Sequence, residues 1–130
     1  MLLCDFAEEV GGKLYIMGGG WSRILKSGIP TPMSLAVKLS VPWDQAETLH
    51  KVKIELVTED GELVDKEGQP VRVMGELGAG KPPDLRPGAP LDLPFVVRFE
   101  GISLDPGGYR WELEVDDERI AAVSFEVMAA

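Results

Sequence analysis

Apolar residues recur at every second position in four segments of the chain, and this period constrains the fold more than any other feature. On a pleated strand, successive side chains point to opposite faces, so the alternation gives each segment one apolar and one polar face. The four segments cover residues 35–41, 52–56, 95–100 and 111–115. Such strands pair into antiparallel sheets that bury one face. The sequence therefore predicts an all-β protein.

Turn motifs separate several of these segments. Gly11-Gly12, Asp60-Gly61 and Asp116-Asp117 stand where one strand pattern ends and the next begins. Glycine and aspartate tolerate the positive φ angles of tight hairpins. We therefore predict three hairpins, the last of which leads into a final strand over residues 119–127.

The remaining connections are of two kinds. Residues 43–49 are too few for more than one short helical turn, and the segment from Gly78 to Pro90 is too rich in glycine and proline for regular structure. About eight strands in 130 residues indicate one domain, residues 1–130, with an antiparallel two-sheet β-sandwich of the immunoglobulin-like kind. Tyr109 follows a Pro-Gly turn, which is typical of the tyrosine corner of that fold.

Charge limits the classes of partner. The chain has 13 basic and 22 acidic residues and a net charge of -9. This balance repels polyanions, so we expect neither nucleic acid nor a membrane as a partner, whereas a basic partner would be attracted. A second interpretation stays open, in which the charge serves only solubility.

Cysteine usage indicates a compartment. Cys4 is the one cysteine, so the chain cannot form an internal disulfide of the kind that is common in small secreted domains. Asp5, Glu8 and Glu9 come too early for a signal peptide, and no apolar run approaches the ~20 residues of a membrane span. We expect a cytoplasmic protein.

Two glycine motifs offer candidate anion sites. Gly75, Gly80 and Lys81 have the spacing of a phosphate-binding loop, but Pro82 stands where a Ser or Thr would bind magnesium. We therefore expect no nucleotide site there. The three glycines from Gly18 to Gly20 expose backbone amides, although such a run more commonly permits close approach of two backbones.

Catalytic and metal-binding patterns are weak. His50 is the one histidine, and with Cys4 it gives too few ligands for a typical zinc site. A serine nucleophile needs a base, and His50 is the one histidine that could serve. We expect His50 to occupy a solvated position at the start of a strand. The sequence predicts no catalytic residue, no cofactor and no metal ligand, while a calcium site among loop carboxylates stays open.

The N-terminal third contains more apolar side chains than one core face can hold. If Leu14 and Ile16 point inward, Tyr15 and Met17 lie on the opposite face. Two interpretations stay open: this face is an exposed partner surface, or residues 21–33 fold over it. The candidate surface residues are Tyr15, Met17, Trp21, Ile24 and Leu25.

A family resemblance adds to this interpretation. It is carried by the segments CDFAE, GKLY and MGGGW at residues 4–8, 12–15 and 17–21, together with Pro32-Met33 and residues 50–55. In these elements the chain resembles an uncharacterised family of small bacterial proteins, domain of unknown function number 6941. The resemblance implies a bacterial, cytoplasmic, β-rich domain, and it implies no activity and no residue role.

These observations predict a non-enzymatic interaction or scaffold module, self-associating through an unpaired sheet edge or through the Tyr15 and Met17 face. Its partner is then another protein or a second copy of the chain. The alternative is a small-ligand or metal-binding domain, or an enzyme of unrecognised type. That alternative would use the bend from Gly18 to Gly20 and the loop from Gly78 to Pro90.

Overall fold

The computed structural model describes residues 1–129, and strands make up most of them. The elements of this part of the chain are β1 (Leu2–Val10), β2 (Lys13–Gly19), β3 (Arg23–Leu25), β4 (Thr31–Val41), a 3-10 helix (Trp43–Gln45), β5 (His50–Thr58), β6 (Asp65–Lys66), β7 (Gln69–Pro70), β8 (Arg72–Leu77), β9 (Leu91–Ile102), β10 (Gly107–Val115) and β11 (Glu118–Met128). The predicted all-β class is confirmed, with several more short strands than the sequence indicated.

The strands form two main sheets. Sheet A has the order β2-β1-β4-β9 and sheet B the order β3-β11-β10-β5-β8, while β6 and β7 form a small ribbon of their own. Neighbouring strands are antiparallel, except that β3 runs parallel to β11. Neither sheet closes into a barrel. The predicted β-sandwich is confirmed.

The core lies between the two sheets and consists of the apolar positions of the alternating segments. Trp111 of sheet B stacks on Phe99 of sheet A, with the ring centroids 4.2 Å apart. Leu35, Ile54 and Leu113 are fully or almost fully buried around them. Burial of each such side chain contributes about 1.5–3 kcal/mol. The alternation therefore places the four segments with the predicted faces inward.

The predicted turns are also present. Gly11-Gly12 joins β1 to β2, and Asp116-Asp117, both with positive φ, joins β10 to β11. At Asp60-Gly61 the chain folds back, and the Thr58 amide donates to the Glu62 carbonyl at 2.8 Å. The Tyr109 hydroxyl donates to the Asp105 carbonyl at 2.7 Å, which confirms the tyrosine corner.

The long loop is fixed at its beginning. Residues 78–90 have no helix or strand, as predicted. The Gly80 amide donates to the carbonyl of buried Ala46 at 3.0 Å, and Lys81 Nζ lies 4.3 Å from the centroid of the Trp43 ring. A cation over an aromatic ring is attracted by the ring quadrupole. The 3-10 helix therefore holds the first residues of the loop.

Ion pairs cover the outer face of sheet B. Glu112 accepts hydrogen bonds from Arg110 and Arg119 at 2.8 and 2.6 Å, and Glu55 pairs with Arg72. Glu55 and Glu112 are direct neighbours on adjacent strands, so the arginines offset the repulsion of two like charges. This face is a solvated structural surface with its charges compensated.

Candidate functional site

Strands β1 and β2 form a hairpin whose shape follows from its glycines. Gly11 and Gly12 have φ angles of 60° and 80°, and two positive φ values define the turn that suits a two-residue hairpin loop. The pairing runs from Val10 opposite Lys13 to Cys4 opposite Gly19. A side chain at Gly18 would collide with the Asp5 carboxylate. The bend from Gly18 to Gly20 therefore serves the close approach of two strands.

The hairpin is anchored on the outer face of sheet A. Cys4, Ala7 and Ala36 are buried in a small second cluster between the hairpin and the sheet. Arg98 of β9 donates two hydrogen bonds to the Ala7 carbonyl, at 3.2 and 3.0 Å, and its guanidinium lies 4.5 Å from the centroid of the Phe6 ring. The small side chains of this cluster let the hairpin lie close to the sheet, and the hydrogen bonds from Arg98 hold it there.

The opposite face of the hairpin exposes apolar side chains next to Glu8 and Lys13, and one of them, Phe6, is partly covered by Arg98. Positions 6, 8 and 10 of β1 and positions 13, 15 and 17 of β2 share this face by register. We call its apolar members, Phe6, Val10, Tyr15 and Met17, the hairpin face; they are 42%, 52%, 55% and 68% exposed. Neighbouring exposed apolar groups of this kind make the hairpin face a candidate contact surface. Residues 21–33 therefore do not bury Tyr15 and Met17, which was one of the two interpretations left open by the sequence.

The structure divides the predicted surface residues. Tyr15 and Met17 lie together on the hairpin face, and Leu25 is exposed on β3. Trp21 packs edge-to-face on Phe125, and Ile24 packs on the main core, so neither belongs to the hairpin face. Phe6 and Val10 were missed, although the register of a Gly-Gly hairpin places position 6 opposite 17.

Strand β2 also differs from the other edge strands. The edges are β2 and β9 in sheet A and β3 and β8 in sheet B. Strand β9 contains Pro94, β8 contains Arg72 and Glu76, and β3 has three residues. Prolines, charges and short length keep an edge from pairing with another chain. From Leu14 onward β2 has neither charge nor proline, so it is the least protected of these four edges.

His50 has a different environment from the one predicted. It begins β5, as expected, but it is only 8% exposed. Its Nδ1 donates to Asp116 Oδ2 at 2.7 Å, and its Nε2 donates to the Gln45 carbonyl at 3.0 Å. The bond to Asp116 raises the pKa of His50, and the carbonyl of Gln45 raises it further. The prediction of a solvated His50 is wrong, because a carboxylate distant in sequence folds onto it.

The same contacts bear on catalysis. A general base needs a ring nitrogen free to take a proton from a substrate or nucleophile. Both nitrogens of His50 face acceptors, so the protonated ring donates to both and links β5 to the β10–β11 turn and to the 3-10 helix. Asp116 has a lowered pKa, chiefly because it accepts the bond from His50. This pair is built as a structural clamp.

The two glycine motifs offer little room for an anion. The Asp5 carboxylate lies against Gly18, which makes the bend unfavourable for a negative ligand. Lys81 is held over Trp43, and no helix follows it. Within residues 1–129, no three His, Cys, Asp or Glu side chains are grouped to hold a metal ion. No helix in that range is long and apolar enough to cross a membrane.

Comparison with known proteins gives one match. The profile of a family of unknown function, DUF6941, matches residues 1–128. The chain belongs to this family. The predicted resemblance is thereby confirmed, and DUF6941 has no described activity that could be assigned to the hairpin or to His50. Neither the curated proteins nor the solved structures give a significant match.

Proposed function

We propose that this DUF6941 protein is a non-enzymatic interaction module that binds an extended segment of another polypeptide along β2. The observation that carries the proposal is that the least protected edge strand also bears exposed apolar side chains, Tyr15 and Met17. In strand addition, main-chain hydrogen bonds give affinity and alternate side chains give specificity. Strand β2 offers both.

The non-enzymatic part of the proposal is supported by His50. The one histidine has both nitrogens facing acceptors, so neither is placed to take a proton from a nucleophile. The bacterial, cytoplasmic setting is part of the same proposal. It is supported by the cysteine usage, because Cys4 is the one cysteine and the internal disulfides common in small secreted domains are impossible.

Two methionines make a matched test. Met17 on β2 and Met74 on β8 are 68% and 67% exposed, and both lie on edge strands. A photo-crosslinking amino acid would replace each in turn, inside cells of the native host. We expect discrete adducts from position 17 and none from position 74. Equal adducts from both positions, or none from either, would overturn the proposal.

Backbone pairing is tested at Ile16, which lies between Tyr15 and Met17. Proline at an edge position removes an amide but is tolerated where that amide points away from the sheet. Ile16→Pro should abolish the adducts at position 17, and Ile16→Thr, which keeps the amide, should retain them. Adducts that survive Ile16→Pro in a folded variant would show binding by side chains alone and would contradict strand addition.

A second candidate function rests on a cleft at one end of the sandwich. The cleft has a volume of about 290 Å³ and is lined by apolar residues such as Leu39 and Ile120 together with His50, Asp116 and Glu118. An apolar pocket with a few polar groups is the usual form of a small-ligand site. A thermal-shift screen of metals, nucleotides and sugars tests this function, since a ligand of the folded state raises Tm. No shift with any compound would reject it for those ligand classes.

A further inference from the structure

We infer that the segment bound by β2 is an extended strand in which apolar residues alternate with lysine or arginine. This inference rests on the proposed function and names the chemical class of its partner. It follows from three features of the hairpin: the direction of its free backbone groups, the apolar face next to them, and the uncompensated carboxylates around them.

The turn sets the direction of the backbone groups. In a two-residue hairpin, the residues that flank the loop form a hydrogen-bonded pair, and such pairs then alternate along the strands. Val10 and Lys13 flank the loop here, so Tyr15 and Met17 direct their amides and carbonyls to β1. Leu14 and Ile16 direct theirs to the free edge. An added strand would bond to these two residues.

The side chains define what this strand presents on one face. A strand paired with β2 places every second side chain beside Tyr15 and Met17, which are more than half exposed. Phe6 extends the same face on β1, opposite Met17. Covering these groups removes apolar surface from water, with about 25 cal/mol gained per Å². The partner residues on this face are therefore apolar.

Charge defines the remaining positions. Asp5, Glu8 and Glu9 of β1 are exposed, and none forms an ion pair with a Lys or Arg in the part of the chain that the structure describes. By register, Glu9 lies opposite Leu14 on the side turned away from Tyr15, and Asp5 shares that side. Glu8 lies opposite Tyr15 on the hairpin face. Lys13, at the start of β2, is the hairpin's one lysine. Cationic residues at the alternate positions of the partner strand would lie on the side of Asp5 and Glu9.

The same charges disfavour a second copy of the chain as the occupant. Pairing β2 with β2 of another copy would bring two Glu8 side chains to one face and join two molecules that each have a net charge of -9. Like charges across an interface oppose association, and salt screens that opposition. The negative charge that repels a second copy attracts a basic strand.

Defined peptides test the inference. The probes are two fluorescein-labelled ten-residue peptides, one alternating valine with lysine and one alternating valine with glutamate, titrated with the full chain by fluorescence anisotropy. We expect the lysine peptide to bind at least tenfold more tightly and to weaken as salt is added. It should lose binding to the Ile16→Pro variant and keep it with Ile16→Thr. Equal binding of both peptides would overturn the inference.

Matched charge variants locate the effect. Glu9→Gln, which keeps an acceptor for the Gly12 amide, should weaken the lysine peptide several-fold. Glu118→Gln, which removes an exposed carboxylate from β11, should leave it unchanged. An equal loss in both variants would mean that only net charge matters and would overturn a local partner strand. Because Ile16→Pro could disturb the hairpin, Ile16→Lys serves as a second variant, which should repel the lysine peptide without removing an amide.

Two results separate this inference from the proposed function. If position 17 forms specific adducts in cells while neither peptide binds, the basic class is wrong and strand addition stands. If light scattering shows a dimer that Ile16→Pro dissociates, the occupant is a second copy and the inference is again wrong. If adducts are absent as well, the proposed function falls with it.

Discussion

Replacing Arg98 with methionine should release the β1–β2 hairpin from sheet A without unfolding the sandwich. Arg98 donates both of its hydrogen bonds to the Ala7 carbonyl and lies over the Phe6 ring. Methionine keeps much of the length of the side chain and removes the charge and the donors. The main core between the sheets does not include Arg98. The loss should therefore be local.

The magnitude follows from the contacts. The two bonds from Arg98 share one acceptor and are counted as one hydrogen bond to a charged group, which contributes about 1.5–3 kcal/mol. A cation over an aromatic ring at an exposed site contributes about 0.5–1 kcal/mol. Arg98 is itself exposed, so solvent screening puts each contribution at the low end of its range. The sum is about 2 kcal/mol for hairpin opening. Since 1.4 kcal/mol is a factor of ten, the open population should rise roughly 30-fold.

Cys4 reports this opening. It is the one cysteine, it is fully buried in the cluster with Ala7 and Ala36, and burial raises the pKa of its thiol. A thiol reagent therefore modifies it only when the hairpin lifts. The rate of modification of Arg98→Met should exceed that of the unchanged protein by about the same 30-fold, if opening and closing are fast relative to modification. Hydrogen exchange of the β2 amides should rise in parallel.

The control is Lys38→Met. Lys38 also lies in sheet A, where it pairs with Asp92 at 3.8 Å, and both side chains are largely exposed. An ion pair of this kind contributes little, so thiol modification should not change. If Arg98→Met leaves the rate at Cys4 unchanged, or if both variants raise it equally, Arg98 is not the anchor of the hairpin.

Three further predictions concern the sandwich itself. His50→Gln should lower the free energy of unfolding most between about pH 4 and pH 6.5. Because the pKa of His50 is raised, its contribution is complete below the ordinary value of 6.5 and is lost as the pH rises through the raised value. Because the pKa of Asp116 is lowered, this partner stays ionised above its ordinary value of 3.8. Urea unfolding across this range checks it, and a difference that widens at alkaline pH would contradict the ion pair. Leu113→Ala should cost about 2–5 kcal/mol, because Leu113 is 1% exposed and its truncation leaves a cavity; a loss below about 1 kcal/mol in denaturant unfolding would contradict the core assignment. Tyr109→Phe should cost about 0.5–1.5 kcal/mol through its bond to Asp105, and an unchanged Tm would show that the corner contributes nothing.

Local periodicity determined the elements of this protein. Alternation placed Leu35, Ile54 and Leu113 in the core, and Gly11-Gly12 set the two-residue hairpin. Tyr109 and its acceptor Asp105 are four residues apart, so the motif that joins them is present in the sequence itself. Each of these features depends on side-chain direction or backbone freedom over a few residues. They could therefore be predicted without knowing the strand order.

The tertiary structure alone decided which of these features meet. His50 and Asp116 are 66 residues apart, and Arg98 and Ala7 are 91 residues apart, so their contacts exist only once the sheets have assembled. The position of β2 at an edge likewise depends on β1 pairing with β4 on its other side. Local patterns specify which face of a strand is apolar, whereas strand order is set by pairing between distant segments. For that reason the sequence could propose an unpaired sheet edge and an exposed face at Tyr15 and Met17, but not that both belong to β2.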